Sequence, residues 1–342
     1  MSSPTCLILG GTGTLAATAE DLARSGADVA VTCRRPELAP AHWSAWGIRV
    51  VRADRDDADA VAALVGDGVD GLVDGQCYTA SHGKHLAALS HRCGSTVMLS
   101  ARAVYTDSRG RHANSEDAPH WPGPTAEDTP TMAYHGERFD SRLGYGANKA
   151  EAERILGARG ARVSILRPAR IHGPSTRRIR EWPLVRAVLA GSPMIAVERA
   201  QATGTLTSTA SIAWAAAACL SRPAARVVNV GDAPAVSNLR AARILVGALA
   251  RAAGTEVVAA PEEGPTARSA AADAAPHTPP GGARIPGAWA TGQELDLSAL
   301  QALIGTPPST ERTLAETARW VHSLARRASD GTWELPEAFD GS

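Results

Sequence analysis

One segment, CLILGGTGTLAATAEDLA (6–23), constrains this chain more than any other. A short apolar run ends at Gly10, and helical periodicity sets in directly after Gly13. Such a strand–turn–helix puts glycine where backbone must come close to a ligand, and aims the amides of the helix start at its charge. Gly10 and Gly13 stand at the first two positions of a dinucleotide fingerprint. Ala16 stands at the third, where a small residue lets the helix pack closely on the strand. Thr12, Thr14 and Leu15 complete the turn and are expected against a pyrophosphate.

The pattern then repeats. DVAVTC (28–33), IRVVRA (48–53), DGLVDG (70–75) and STVMLS (95–100) read as strands, and 14–26, 56–66 and 82–94 as helices between them. Alternation of this kind implies right-handed βαβ units and a parallel sheet. The expected fold is α/β: a Rossmann-type doubly wound parallel sheet with a smaller C-terminal substrate-binding region. Residues 1–170 are assigned to the dinucleotide-binding domain and 171–342 mainly to substrate binding, part of 205–235 returning to the first domain. Periodicity lapses over 107–144, read as a long substrate-side loop. It resumes with a helix at 144–160 and a strand at 161–168. Further helices are expected at 182–191, 211–220, 238–253 and 309–327, with a strand at 226–231. Residues 261–290, rich in Pro, Ala and Gly, read as a flexible surface excursion.

Charge limits the partners. The chain has 35 basic and 35 acidic side chains and a formal net charge of zero, which argues against nucleic acid or an anionic membrane and for a small molecule. The apolar stretch AWAAAACL (213–220) is far short of the roughly 20 residues a bilayer span needs. The start of the chain lacks the basic and cleavage regions of a signal peptide. Five cysteines, an odd number with no paired spacing, fit reduced thiols and a cytoplasmic location. The Ala/Arg/Gly-rich composition points to a high-GC bacterial source and to specialised metabolism. No metal is expected: His82 and His91 of the apparent His/Cys cluster fall on opposite faces of one helix.

Cofactor type is read at the end of the second strand. A carboxylate there would bond the ribose of NAD, whereas VTCRRPE offers Arg34 and Arg35. A guanidinium fork suits a 2′-phosphate in charge and geometry, so NADP(H) is expected. Asp54, after the third strand, is read either as an acceptor for the adenine amino group or as a cap of the next helix.

Tyr145 and Lys149 stand in YGANK at the start of a helix, one turn apart and on one face. A nearby ammonium favours the phenolate, lowering the phenol's pKa toward useful values. Together GGTGTLA, VMLSARAVY, YGANK and ILRPARIHGP resemble the extended short-chain dehydrogenase/reductase superfamily, the NAD-dependent epimerase/dehydratase type, over nearly the whole chain. The resemblance implies Tyr145 as general acid/base and Lys149 as the holder of the nicotinamide ribose. It assigns Pro168 to the cofactor site, and implies a homodimer through the helices flanking the fifth strand. The usual catalytic Ser/Thr position holds Ala101, so the hydroxyl role passes to the adjacent Ser100. The relay Asn of the preceding helix is missing from 76–95, and the fourth-strand connection is short. Trp121, His172, Arg178 and Trp182 are candidates for substrate contact. These departures point to an NADPH-dependent reductase of a carbonyl or related C=X group in a small metabolite. The alternatives are a sugar-nucleotide epimerase or dehydratase with transient hydride transfer, and a non-catalytic NADP(H)-sensing protein.

Overall fold

Along the first strand Cys6 and Ile8 turn to one face, Leu7 and Leu9 to the other, and all four are buried. A strand buried on both faces needs helices on both sides of its sheet. The computed structural model describes residues 3–253, 257–261, 283–285 and 292–339. Its chain runs β1 (Thr5–Leu9), α1 (Ala16–Arg24), β2 (Asp28–Cys33), β3 (Arg49–Arg52), α2 (Ala58–Val65), β4 (Gly71–Asp74), α3 (Ala80–Ser90) and β5 (Ser95–Leu99). After a long connection come α4 (Gly144–Ala158), β6 (Val163–Pro168), β7 (Arg170–His172) and α5 (Trp182–Leu189). Then follow β8 (Met194–Val197), β9 (Thr203–Gly204), β10 (Leu206–Ser208), α6 (Thr209–Ser221) and β11 (Arg226–Val230).

Seven strands form one sheet in the order β11-β6-β5-β4-β1-β2-β3, with every neighbouring pair parallel. The order reverses between β1 and β4, and their carboxyl ends open the crevice where such sheets bind ligands. Leu15 and Ala19, at α1, and Ile212 and Ala216 of α6 cover one face, against Ile8, Val31 and Val73. Val61 of α2, Leu86 of α3 and Leu156 of α4 cover the other, against Leu7, Leu72 and Met98. Side-chain caps start three of these helices. Asp57 accepts from the Ala60 amide at 2.9 Å, Thr79 from that of His82 at 3.2 Å, and Ser208 from that of Ser211 at 3.1 Å.

Much of the remaining chain forms a second core, while Leu300 and Leu303 of the helix at Ser298–Ile304 pack into the core of the large sheet. After β12 (Val236–Ser237) come α7 (Asn238–Ala253), β13 (Val258–Pro261), β14 (Ala283–Ile285), α8 (Ser298–Ile304) and α9 (Thr310–Leu324). Val185, Ile195, Leu245, Leu249, Leu314 and Val321 pack together there. Strand β11 closes the large sheet, and α6 lies on that sheet, so 209–230 is built into the half that holds β1–β6. The segment read as a loop at 107–144 holds no helix or named strand before α4 begins at Gly144. Isolated bridges Tyr105↔Thr131 and Thr125↔Leu295 pin it down. Most of the excursion read at 261–290 lies outside the described residues. Strands β7–β10 and β12–β14 go beyond the sequence expectation, being too short to display a period. No helix among the described residues is long and apolar enough to cross a membrane, and all five cysteines are free.

Asp232 joins the halves. Its carboxylate, fully buried, accepts from Ser208 Oγ at 2.8 Å, Ser211 Oγ at 2.5 Å and Thr313 Oγ1 at 2.7 Å, and lies 3.0 Å from His172 Nε2. Burial alone would raise its pKa, but the bonds from His172, Ser211 and Thr313 outweigh that and hold it below the usual carboxylate range. The group therefore stabilises the fold above its unfolded-state pKa, and that share is lost as pH falls through the depressed folded value. Asp232→Ala leaves several buried donors unmatched, and urea unfolding at neutral pH is expected to show a loss of about 3–5 kcal/mol.

Candidate functional site

Thr32 shapes the glycine turn. Its carbonyl accepts from the Gly10 amide at 3.1 Å and the Gly11 amide at 3.3 Å, and its hydroxyl accepts from the Gly10 amide at 3.2 Å. Gly10 sits at φ 77°, a left-handed conformation in which glycine is favoured. The Gly13 carbonyl accepts from the Ala16 amide at 2.8 Å and starts α1. The amides of Thr12, Gly13, Thr14 and Leu15 have no acceptor among the described residues. Unmatched amides at a helix start fit the pyrophosphate of a dinucleotide.

Around the turn, Arg34 and Arg35 are exposed and neither pairs with a carboxylate among the described residues. Glu37 turns instead to Arg52, at 3.5 Å. Asp54 is exposed and accepts from the Asp56 amide at 3.1 Å, while the helix cap is Asp57. Of the two readings of Asp54, capping thus falls to another residue. Pro168 is buried at the end of β6, paired with Val230.

A connection unremarked in the sequence links this turn to Tyr145. Gln76, just beyond β4, lies so close over Gly10 that a Cβ there would come within 2.5 Å of its Cγ. Two residues on, the ring of Tyr78 lies 6.3 Å from that of Tyr145 and stacks on Phe139 at 5.6 Å. Lys149 Nζ sits 4.5 Å over the same Tyr78 ring and donates to the Leu99 carbonyl at 2.6 Å. Tyr145 and Lys149 therefore meet around Tyr78, as their spacing of one helical turn allows.

The electrostatics differ from expectation. Burial pushes the Tyr145 phenol above the usual tyrosine range, Tyr78 adds to this, and Arg180 opposes it. Lys149, 1% exposed, is not among the charges acting on the phenol. Burial holds Lys149 itself below the usual lysine range, against Cys77, Asp74 and Glu153. The Tyr145 hydroxyl makes no hydrogen bond among the described residues.

Two expected site residues have other roles. Ser100 is buried and donates to the Glu153 carboxylate, which also holds Arg167 through Nε at 3.1 Å. Its hydroxyl faces α4 and serves this buried ion pair, which corrects its assignment to the reacting oxygen. His172 is 0% exposed, with Nδ1 2.8 Å from Thr317 Oγ1 and Nε2 3.0 Å from Asp232. Both ring nitrogens are engaged, so it is a packing residue and not a substrate contact. Trp121 is half-buried against Tyr105, Ala150 and Leu295. Trp182 heads α5 and packs on the second core.

Arg178 belongs to a group the sequence did not reveal. Arg102, in the turn after β5, donates to Gln293 Oε1 at 3.0 Å. Burial, then the charges of Arg170 and Arg180, push it down to about 10. Arg170 is likewise pushed down to about 10 by burial, with Glu181 opposing and Arg180 and Arg178 adding. Arg180 is lowered by burial and Arg178, with Glu181 and Tyr145 opposing. Arg102, Arg170, Arg178 and Arg180 thus act on one another, Arg180 also acts on Tyr145, and Glu181 opposes them at Arg170 and Arg180. Their arrangement attracts an anion.

Burial raises Tyr78 and Tyr145 and pushes Tyr105 up to about 12. A spectrophotometric titration of tyrosinate is therefore expected to find at least these three phenols still mostly protonated near pH 10.

No family model and no curated protein sequence matches the chain. Solved structures do. The Bordetella bronchiseptica enzyme WbmH, in complex with NAD+, is 14% identical at a TM-score of 0.64, covering 94% of this chain and 99% of its own. A dTDP-glucose 4,6-dehydratase from Bacillus anthracis, in complex with NAD, is 12% identical at 0.67, covering 94% and 97%. A UDP-glucuronic acid 4-epimerase from Bacillus cereus, also with NAD, is 16% identical at 0.65, covering 94% and 99%. Over nearly its whole length, this chain shares the Rossmann-like α/β fold of these three enzymes.

Proposed function

We propose that the chain is a nicotinamide-dinucleotide-dependent oxidoreductase acting at a hydroxyl- or carbonyl-bearing carbon of a sugar-nucleotide-class substrate, with hydride returned in the same turnover. One observation carries the reading: the β4–α3 connection touches the glycine turn through Gln76 and the Tyr145–Lys149 pair through Tyr78. The two ends of an extended dinucleotide have their partners along one continuous edge.

In this reading the amides of Thr12, Gly13, Thr14 and Leu15 hold the pyrophosphate, and Arg34 and Arg35 favour NADP(H) through its 2′-phosphate. Asp54 faces the adenine, and Pro168 borders the nicotinamide end. Lys149 keeps two N–H donors beyond the one given to Leu99, enough for ribose hydroxyls. When bound, the dinucleotide supplies or accepts the hydride. Tyr145 holds the proton that the reacting oxygen gains or gives up. Arg102, Arg170, Arg178 and Arg180 draw in the substrate's anionic group.

The epimerases and dehydratases that share the fold support return of the hydride over the net carbonyl reduction expected from the sequence. Net NADPH-dependent reduction remains a second reading, favoured by the unpaired arginines at the 2′-phosphate corner. A panel of UDP- and dTDP-sugars, followed by NMR for products and by absorbance for NADPH, separates the two. Interconversion without net oxidation supports the first, and stoichiometric NADPH loss the second. Tyr145→Phe is expected to lower turnover about 10²–10⁴-fold while leaving dinucleotide affinity within about twofold. A variant as fast as the wild type would remove both readings.

A further inference from the structure

Arg177 comes from the segment between β7 and α5, yet it ends at the glycine turn. Its Nη2 donates to the Thr12 carbonyl at 2.8 Å and to the Leu38 carbonyl at 3.0 Å. Its Cγ stands 3.4 Å from where a Cβ on Gly13 would be. The guanidinium lies 5.7 Å over the ring of Phe339, close to the end of the chain. Thr12 belongs to the turn after β1, and Leu38 to the loop after β2 that begins with Arg34 and Arg35. Arg177 is therefore fastened at the corner between the two strands that border an adenosine ribose in this kind of fold.

The corner is short of negative charge. Both carbonyls that Arg177 meets are neutral, and its Nε and Nη1 have no acceptor among the described residues. No carboxylate pairs with Arg177, Arg34 or Arg35 among those residues, because Glu37 goes to Arg52. Arg177 is half-buried, and burial followed by the charge of Arg35 lowers its pKa. Like charges held together without a counter-ion are unfavourable, and a dianion with three acceptor oxygens relieves them. The amides at the start of α1 already answer the pyrophosphate. What remains uncompensated is the ribose corner.

We propose that Arg177 is the third arm of a phosphate-monoester site, closing with Arg34 and Arg35 on the 2′-phosphate of NADP(H). This rests on the cofactor reading above and adds to it a residue from the far side of the crevice. Phe339 is a positioning residue, its ring lying against the guanidinium that reaches the turn. The same 173–181 segment carries Arg178 and Arg180, so the 2′-phosphate also steadies the cations beside Tyr145.

Calorimetric titration of the full chain with NADP+, NAD+, adenosine 2′,5′-bisphosphate and ADP tests the assignment. In Arg177→Met, the Kd for NADP+ and for the 2′,5′-bisphosphate is expected to rise about tenfold or more, while NAD+ and ADP stay within about threefold. Arg177→Lys keeps the charge without the fork and is expected to fall between, which preserves the test if the methionine variant folds poorly. Equal weakening for ADP would make Arg177 a pyrophosphate contact and overturn the proposal, as would an unchanged Kd for NADP+ in either variant. A wild-type chain that binds neither dinucleotide would instead sink the cofactor reading itself.

Discussion

Unmatched amides at the head of α1 are the constraint on which the crevice depends. Backbone donors at a helix start need an acceptor, and here a turn clamped to Thr32 keeps them from finding one among the described residues. The clamp follows from strand register: β1 pairs with β2 so that Thr32 lies beside Leu9, which brings its carbonyl and hydroxyl under Gly10. Sheet register thus sets the shape of the turn, and the turn sets the charge it seeks. Gln76 lies over Gly10 and the stem of Arg177 over Gly13, two positions of the turn where there is no Cβ to stand in their way.

A neutral chain can still hold strong local fields. The buried acids are spent on structure: Asp74 is paired with Arg55 at 2.8 Å, Glu153 holds Arg167 and Ser100, and Asp232 gathers three hydroxyls and His172. These carboxylates are thus held away from the other cations: Arg34, Arg35 and Arg177 gather at one corner of the glycine turn, and Arg180, which acts on Tyr145, is joined by Arg102 and Arg178. An overall balance of 35 against 35 therefore leaves room for an anionic small molecule at a local cluster of arginines.

What was legible in the sequence was what repeats. Apolar strand runs, amphipathic helices and the glycine turn stand within a few residues of where their patterns put them. Ser100 shows why the site was harder. Side chains alternate along β5, with Met98 on the α4 face and Leu99 on the other, so Ser100 returns to the α4 face and meets Glu153. A shift of one residue in such a strand changes its whole surroundings, and Ala101 cannot pass its missing hydroxyl back to its neighbour. His172 has the composition of a site residue, and only the fold reveals Thr317 and Asp232 beside it. Arg177 meets Thr12 across 165 residues of sequence, a separation that no local pattern spans.

The protonation state of Tyr145 bears on how the chemistry divides. A buried phenol with a raised pKa keeps its proton near neutrality, which suits the step that puts a proton on a carbonyl oxygen. Removing a proton from a hydroxyl asks for the opposite, and each unit of pKa above the working pH lowers the phenolate population about tenfold. Net reduction uses only the first step, whereas returned hydride needs both. Arg180 already pulls the phenol down, but a substrate anion seated on the arginines would neutralise part of that pull. Lys149 lies one turn along the same helix, with its ammonium bound to a neutral carbonyl and over the Tyr78 ring. In the proposed reading, a site that works in both directions would need a second cation at the phenol once Arg180 is occupied. Lys149, which does not act on the phenol in this structure, is the residue one turn away that could supply it.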